Sequence, residues 1–224
     1  MIVELSYVLS PTTVVYSGVD ATSYEPASKM SEGGLNNVNY VRHFLHTGTH
    51  VDAPLHVDED GDPIDEIPIE SFVYRNVVVL NTPKQRGELI TKEDLADHME
   101  ALCRADLVLF HTGYCQHIEN RKIYQDDFPA IDLELARILR DELLSIVAIG
   151  IDTLGIESLA GPGAGFPVHK QLLQRKLSRN RPLLIYENVN TAPVADRAVG
   201  TVWALPVRFG GTEAAPVAIV AELE

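Results

Sequence analysis

His46-Thr47-Gly48-Thr49-His50-Val51-Asp52-Ala53-Pro54-Leu55-His56 is the stretch from which the rest of the chain can be read. Its even positions are His46, Gly48, His50, Asp52, Pro54 and His56, and its odd positions are small or apolar. Successive side chains of an extended chain point to opposite faces, so this alternation puts three imidazoles and a carboxylate on one face. Imidazole and carboxylate clustered at such spacing point to a metal site. A polar strand face or a buried hydrogen-bond network is the other reading of the same pattern.

The spacing also requires a bend. Along a straight strand His46 and His50 would stand about 13 Å apart, near the limit for sharing an ion held about 2 Å from each nitrogen. Gly48 is the residue between them free to take positive φ, and Pro54 cannot donate to a sheet ladder. The expectation is therefore a kinked edge segment or loop. A helix with His46 and His50 one turn apart is disfavoured by Gly48, the two threonines, Val51 and Pro54.

Working outward, the 224 residues suffice for one sizeable core, and we read one domain over 1–224. A hydrophobic fraction of 46% fits a globular chain, and a net charge of -14 excludes nucleic acid and anionic membrane surfaces as natural partners. No apolar run has bilayer-spanning length. Cys103 and Cys115 are the two cysteines, not spaced C-x-x-C, and read as structural thiols reduced in the cytoplasm.

The pattern predicts strands over 2–9, 75–82, 106–112, 146–152, 201–209 and 215–223, the last two closing a sheet and carrying no obvious chemistry. Val14-Val15-Tyr16-Ser17-Gly18 ends in a turn, and the polar stretch after it reads as a loop over the site. Thr91-Lys92-Glu93-Asp94 opens a helix with a near capping box. A helix over 132–143 carries Leu133, Leu135, Ile138 and Leu139 on one face. Strands alternating with helices make the class mixed α/β, a sheet packed with helices.

The acidic run 57–63 lacks the calcium-loop glycine and glutamate and reads as a solvated turn. His111, closing a strand, reads as a hydrogen-bonded structural histidine; His43, His98 and His117 read as surface or structural. Gly161-Pro162-Gly163-Ala164-Gly165 lacks phosphate-loop spacing and suggests close backbone approach to the site. Pro167 suits the first turn of a helix ending near Leu177, which puts His169 at its start. Glu187 then emerges within the strand-like run 184–189, where a lone carboxylate needs a reason.

HTGTHVDAPLH resembles, without a gap, the H-x-G-T-H-x-D-x-P-x-H signature of the cyclase family of metal-dependent hydrolases, which includes bacterial kynurenine formamidases and isatin hydrolases. Further similarity in LVLFHTGY, AIGIDTLGIES, GFPVHKQLL, LLIYENV and ALPVRFGGTEAAPVAIV extends it over nearly the whole chain. The resemblance implies a swivelling β/β/α architecture and a ligand set of His46, His50, Asp52, His169 and Glu187. It makes His56 the proton shuttle, not a ligand. Where kynurenine formamidases are expected to carry a tryptophan this chain has Tyr16, which can still stack on a substrate ring.

Three imidazoles and two carboxylates exceed what one tetrahedral ion needs, so one or two divalent ions per chain are expected, zinc or manganese. The implied chemistry is attack of metal-bound hydroxide on an amide carbonyl, with His56 protonating the leaving nitrogen. The implied substrate is an aryl formamide such as N-formyl-kynurenine, with an isatin-like cyclic amide as the alternative. A binding protein that keeps the metal but not catalysis is the alternative of another class. Related enzymes are homodimers or homotetramers, often with a neighbour's loops over the site.

Overall fold

Alternating apolar residues feed two cores, one on each face of a sheet. Leu107, Leu109, Ala148, Leu184 and Tyr186 enter the first core. Their neighbours Val108, Phe110, Ile149 and Ile185 enter the second, as a period of two requires. In the computed structural model, which describes residues 1–125, 127–157 and 166–224, the strands are β1 (Ile2–Glu4), β2 (Ser23–Ser28), β3 (Val38–Arg42), β4 (His50–Asp52), β5 (Val73–Tyr74), β6 (Val77–Asn81), β7 (Leu89–Ile90), β8 (Leu107–His111), β9 (Ala130–Ile131), β10 (Ala148–Ile151), β11 (Leu184–Glu187), β12 (Val199–Pro206) and β13 (Ala214–Leu223). The helices are α1 (Met99–Leu102), α2 (Arg121–Tyr124), α3 (Leu133–Asp141) and α4 (Pro167–Leu173).

The main sheet runs β5-β12-β13-β4-β11-β10-β8-β6, with β1 also on β13. β6, β8, β10 and β11 are mutually parallel, whereas β4, β13, β12 and β5 continue it antiparallel. Its first and last strands, β5 and β6, are separated in the chain only by Arg75 and Asn76, so the sheet must curl almost to closure. The first core fills the inside of that curl, with Leu5, Val51, Phe72, Val202 and Ile219 among its members. The second lies outside, where Leu135, Ala136 and Leu139 of α3 and Val168, Leu172 and Leu173 of α4 cover the parallel half. This is the expected mixed α/β arrangement.

Several predicted elements are shorter or built differently. The opening strand is Ile2–Glu4 only. The helix over 132–143 spans Leu133–Asp141, with Asp132 accepting from the Leu135 N–H at 2.7 Å. The segment at Thr91 is a 3-10 turn, Lys92–His98, before the short α1. The Asp94 carboxylate still accepts from the Thr91 N–H at 2.8 Å. The polar stretch after Gly18 is not all loop: it contains β2, which pairs with β3 in a hairpin exposed along nearly its whole length. In the acidic turn Asp58 is buried and accepts from the Arg175 N–H at 2.9 Å, which ties the turn to the segment after α4.

α4 ends at Leu173, short of Leu177, because another residue takes over its C-terminal carbonyls. Arg140 of α3, only 1% exposed, donates to the carbonyls of Gln171 at 2.6 Å and Gln174 at 2.7 Å and to that of Asn180 at 3.0 Å. A guanidinium suits helix-end carbonyls. Removing it leaves those oxygens buried without a donor, so Arg140→Leu should cost roughly 3 kcal/mol. The measurement is the urea midpoint, which should fall with the slope unchanged; an unmoved midpoint would show the contact to be unimportant.

Candidate active site

The site is assembled on the outer face of the sheet by the pairing of β4 and β11. Their register sets Val51 against Tyr186, both inside the curl, and His50 against Glu187 on the other face. Asp52 shares that outer face with His50. The strand is not the edge segment expected from Pro54: β4 lies between β13 and β11, and Pro54 follows it as the first residue of a 3-10 turn, Pro54–His56.

The bend does fall at Gly48, at φ +68°, and a Cβ there would stand within 2.3 Å of Leu9 Cδ2. The chain folds back so that the rings of His46 and His50 are 5.2 Å apart. His56 is turned in beside them, its ring 4.3 Å from that of His46 and 5.6 Å from that of His169. His169 sits in the first turn of α4, as expected.

The polar atoms converge. His50 Nε2 is 3.3 Å from Glu187 Oε2 and 3.5 Å from Asp52 Oδ1. His169 Nε2 is 3.2 Å from Glu187 Oε1 and 3.7 Å from Asp52 Oδ2, and His46 Nδ1 is 2.9 Å from Asp52 Oδ1. His50 and Asp52 are fully buried, yet at His50 Nε2 and both Asp52 oxygens these close approaches do not have the angles of hydrogen bonds. Leaving a buried carboxylate so poorly satisfied is costly, and a divalent cation at that point removes the cost. The donor set therefore fits a metal ion. Donor atoms of His50, Asp52 and Glu187 lie within 4.8 Å of one another, as do those of His46, Asp52 and His56, so His56 is also within reach of an ion.

Each imidazole is held by its other nitrogen. The Gly48 carbonyl takes His50 Nδ1 at 2.9 Å, Glu157 takes His169 Nδ1 at 2.9 Å, and Glu213 is 3.3 Å from His46 Nε2. Such contacts fix the tautomer and aim the remaining lone pair at the centre. Neither glutamate was assigned a role from sequence. Glu157 lies in the quoted run AIGIDTLGIES, and Glu213 immediately precedes β13, so the end of the chain does reach the site.

The carboxylates govern the protonation of the imidazoles around them. Burial lowers the pKa of His46, but Asp52, Glu213 and Glu187 outweigh it and raise the ring to about 10. Burial likewise opposes protonation of His169, and Glu157, Glu187 and Asp52 raise it to about 10. For Glu187 burial works upward, yet His169 and His50 hold it well below the usual carboxylate range. His56 goes the other way, lowered by burial and by His46 and His169 against the pull of Asp52. Burial and the two neighbouring imidazoles thus favour its neutral form.

A cavity of about 230 Å³ opens over this cluster, with Tyr16, Phe44 and Phe166 among its walls. The Tyr16 hydroxyl donates to the Leu154 carbonyl at 2.9 Å and lies 3.4 Å from Glu187 Oε2. Tyr16 therefore lines the cavity with its hydroxyl tied down. Phe44 and Phe166 carry no sequence pattern that would have singled them out. The glycine-rich stretch 161–165, expected near the site, lies outside the described residues.

Residues 3–158 match the family described as putative cyclase. The chain belongs to the cyclase family. This cyclase-family chain is 30% identical over 223 residues to a kynurenine formamidase of Salinibacter ruber, covering 98% of this chain and 96% of that one. It is 28% identical over 221 residues to a kynurenine formamidase of Bacillus anthracis, with 97% and 95% covered. Its fold matches isatin hydrolase A from Ralstonia solanacearum with a TM-score of 0.81 at 22% identity, over 99% and 91% of the two chains. It also matches a predicted metal-dependent hydrolase from Bacillus stearothermophilus with a TM-score of 0.76 at 25% identity, over 99% and 97%. Among the described residues no helix is long and apolar enough to cross a membrane.

A metal ion held by His46 and His169 would displace the protons that their raised pKa values favour. Titrating the metal-free protein calorimetrically near neutral pH, in buffers of different ionisation enthalpy, should show release of about two protons per site, with affinity rising as pH rises. Binding without proton release would contradict this arrangement of ligands.

Proposed function

We propose that this cyclase-family protein is a metal-dependent hydrolase of small amides, acting on an aryl formamide such as N-formyl-kynurenine. The observation carrying this reading is the pair of fully buried residues, His50 and Asp52, whose Nε2 and carboxylate oxygens have no hydrogen bond of sound geometry, beside His56 in the lining of a cavity. We assign His46, His50, Asp52, His169 and Glu187 as ligands of one or two divalent ions, zinc or manganese, since nitrogen and oxygen donors without sulfur suit either. When bound, such an ion supplies a Lewis acid and lets water act as a nucleophile at neutral pH.

The chain's own residues do the rest. A ring nitrogen of His56 takes the proton that water loses as its oxygen adds to the formyl carbon. His56 then returns that proton to the aryl nitrogen as the C–N bond breaks, giving an aryl amine and formic acid, which ionises to formate in water. Glu157, Glu213 and the Gly48 carbonyl keep the three ligand imidazoles aimed throughout. Phe166, its ring 5.0 Å from His169 and 5.9 Å from His56, and Phe44, 5.4 Å from His46, flank the reacting point. An aryl group attached to the scissile nitrogen can pack against those rings. Similarity over nearly full length to kynurenine formamidases supports the same substrate class.

We place one domain over 1–224 in the cytoplasm, where its unpaired thiols stay reduced. We also assign a homodimer or homotetramer. The β2–β3 hairpin leaves Tyr40 68% and Val41 61% exposed, apolar surface that this chain does not cover.

Two outcomes test the reading. His56→Ala should abolish turnover of N-formyl-kynurenine, a loss of at least about a hundredfold, while metal content measured by mass spectrometry stays at the wild-type level. Loss of metal with activity would make His56 a ligand instead. On a panel of aryl formamides and cyclic amides, the formamides should be hydrolysed fastest and a chelator should stop the reaction. Chelator-insensitive turnover would exclude the metal-dependent mechanism, and a faster cyclic amide would move the substrate class.

A further inference from the structure

We propose that His111, Cys115 and Asp152 form a second divalent-cation site, one that uses a thiolate and shares no ligand with the histidine and carboxylate centre. β8 and β10 run parallel, and their last pair is Phe110 with Ile151. His111 and Asp152 each follow by one residue, so the two strands deliver them side by side at their carboxyl ends. Gly113, at φ +74°, then turns the chain into the 3-10 turn Tyr114–His117, which brings Cys115 back over them. Donor atoms of all three side chains lie within 4.8 Å of one another, and His111 Nδ1 is 3.5 Å from Asp152 Oδ2.

The cluster is held in place from behind. Asp152 is fully buried. It accepts from the Thr112 N–H at 3.0 Å, the Thr112 hydroxyl at 2.6 Å and the Gly113 N–H at 2.9 Å. Those donors fix its orientation. The Thr191 hydroxyl pairs with His111 Nδ1 at 2.7 Å, the nitrogen that also faces Asp152, so a cation bound at Nδ1 would displace that hydroxyl. Outer contacts of the kind made to Asp152 are what metal-ligating carboxylates require.

The donor types select the cation. One sulfur, one nitrogen and one oxygen suit zinc or a similar borderline ion, and three protein ligands leave a fourth tetrahedral position open. Calcium and magnesium prefer all-oxygen shells. Burial and the Asp152 carboxylate push the Cys115 thiol up to about 12, so without a cation it keeps its proton and is a poor nucleophile. A cation replaces that proton.

Two strand spacings, about 10 Å, separate this cluster from the β4–β11 centre. Tyr124 stands between them, its hydroxyl 2.6 Å from Asn188 Oδ1 and 2.9 Å from the Asp152 carbonyl. The centre on β4 and β11 holds no sulfur, and this gives the experiment its selectivity.

The metal-free full-length protein is titrated with Co²⁺ while its absorption is recorded. Ligand-field bands report either site, whereas a near-ultraviolet thiolate-to-cobalt charge-transfer band reports sulfur alone. The band should appear in the wild type, persist in Cys103→Ser, which removes the exposed thiol, and vanish in Cys115→Ser. His111→Ala should shift its half-saturation by about tenfold or more, and it serves as the second variant should Cys115→Ser fail to fold by circular dichroism. A wild type with ligand-field bands and no charge-transfer band would overturn the proposal and leave three hydrogen-bonded structural side chains. A band surviving in Cys115→Ser, or unshifted in His111→Ala, would overturn it equally.

Discussion

Antiparallel pairing of β4 with β11, in the register that sets His50 against Glu187, is the constraint on which the structure's chemistry depends. A slip of one residue would turn His50 and Asp52 into the apolar interior and bring Val51 out. The register is held because Val51 and Tyr186 belong to the inner core, and because β13 pairs with the other edge of β4 through Ala214–Pro216. Burial on the inner face thus fixes where the polar residues of the outer face must stand.

The outer face would ordinarily be sealed by helices, and over most of the parallel half it is. α4 serves both purposes. Val168, Leu172 and Leu173 pack into the outer core while His169, one residue after Val168, points at Glu187. Arg140 ends the helix by taking its final carbonyls. The short helix is therefore anchored at its C-terminus by a cation and at its N-terminus by the Glu157 carboxylate, which accepts from the N–H groups of Val168 and His169, charges of the sign each end favours.

Much of this was legible in sequence because it rests on periodicity. The alternation from His46 to His56 announced a polar face, the distance between His46 and His50 demanded a bend, and Gly48 supplied it. Glu187 stood out locally as a lone carboxylate in an apolar strand and Pro167 placed His169 at a helix start, but that the two belong to the site came from the resemblance to the cyclase family. Long-range partners were not. Nothing in the surroundings of Glu157 or Glu213 says that each will meet a particular imidazole, because the contacts span 12 residues for His169 and 167 for His46. Pro54 misled because a proline just beyond a strand looks the same in sequence as one inside it. Phe44, Phe166 and Arg140 were hidden likewise, their roles set by the curl of the sheet and the packing of α3 on α4, not by spacing.

The account stands or falls on an ion lying among His50, Asp52 and Glu187. Crystals of the protein grown with Mn²⁺, measured at a wavelength where manganese scatters anomalously, give the most direct test. An anomalous peak within about 2.0–2.3 Å of His50 Nε2 and a carboxylate oxygen of Asp52 is the result predicted. A map with no peak there at saturating metal, or with the peak bound only by exposed surface carboxylates, would contradict it.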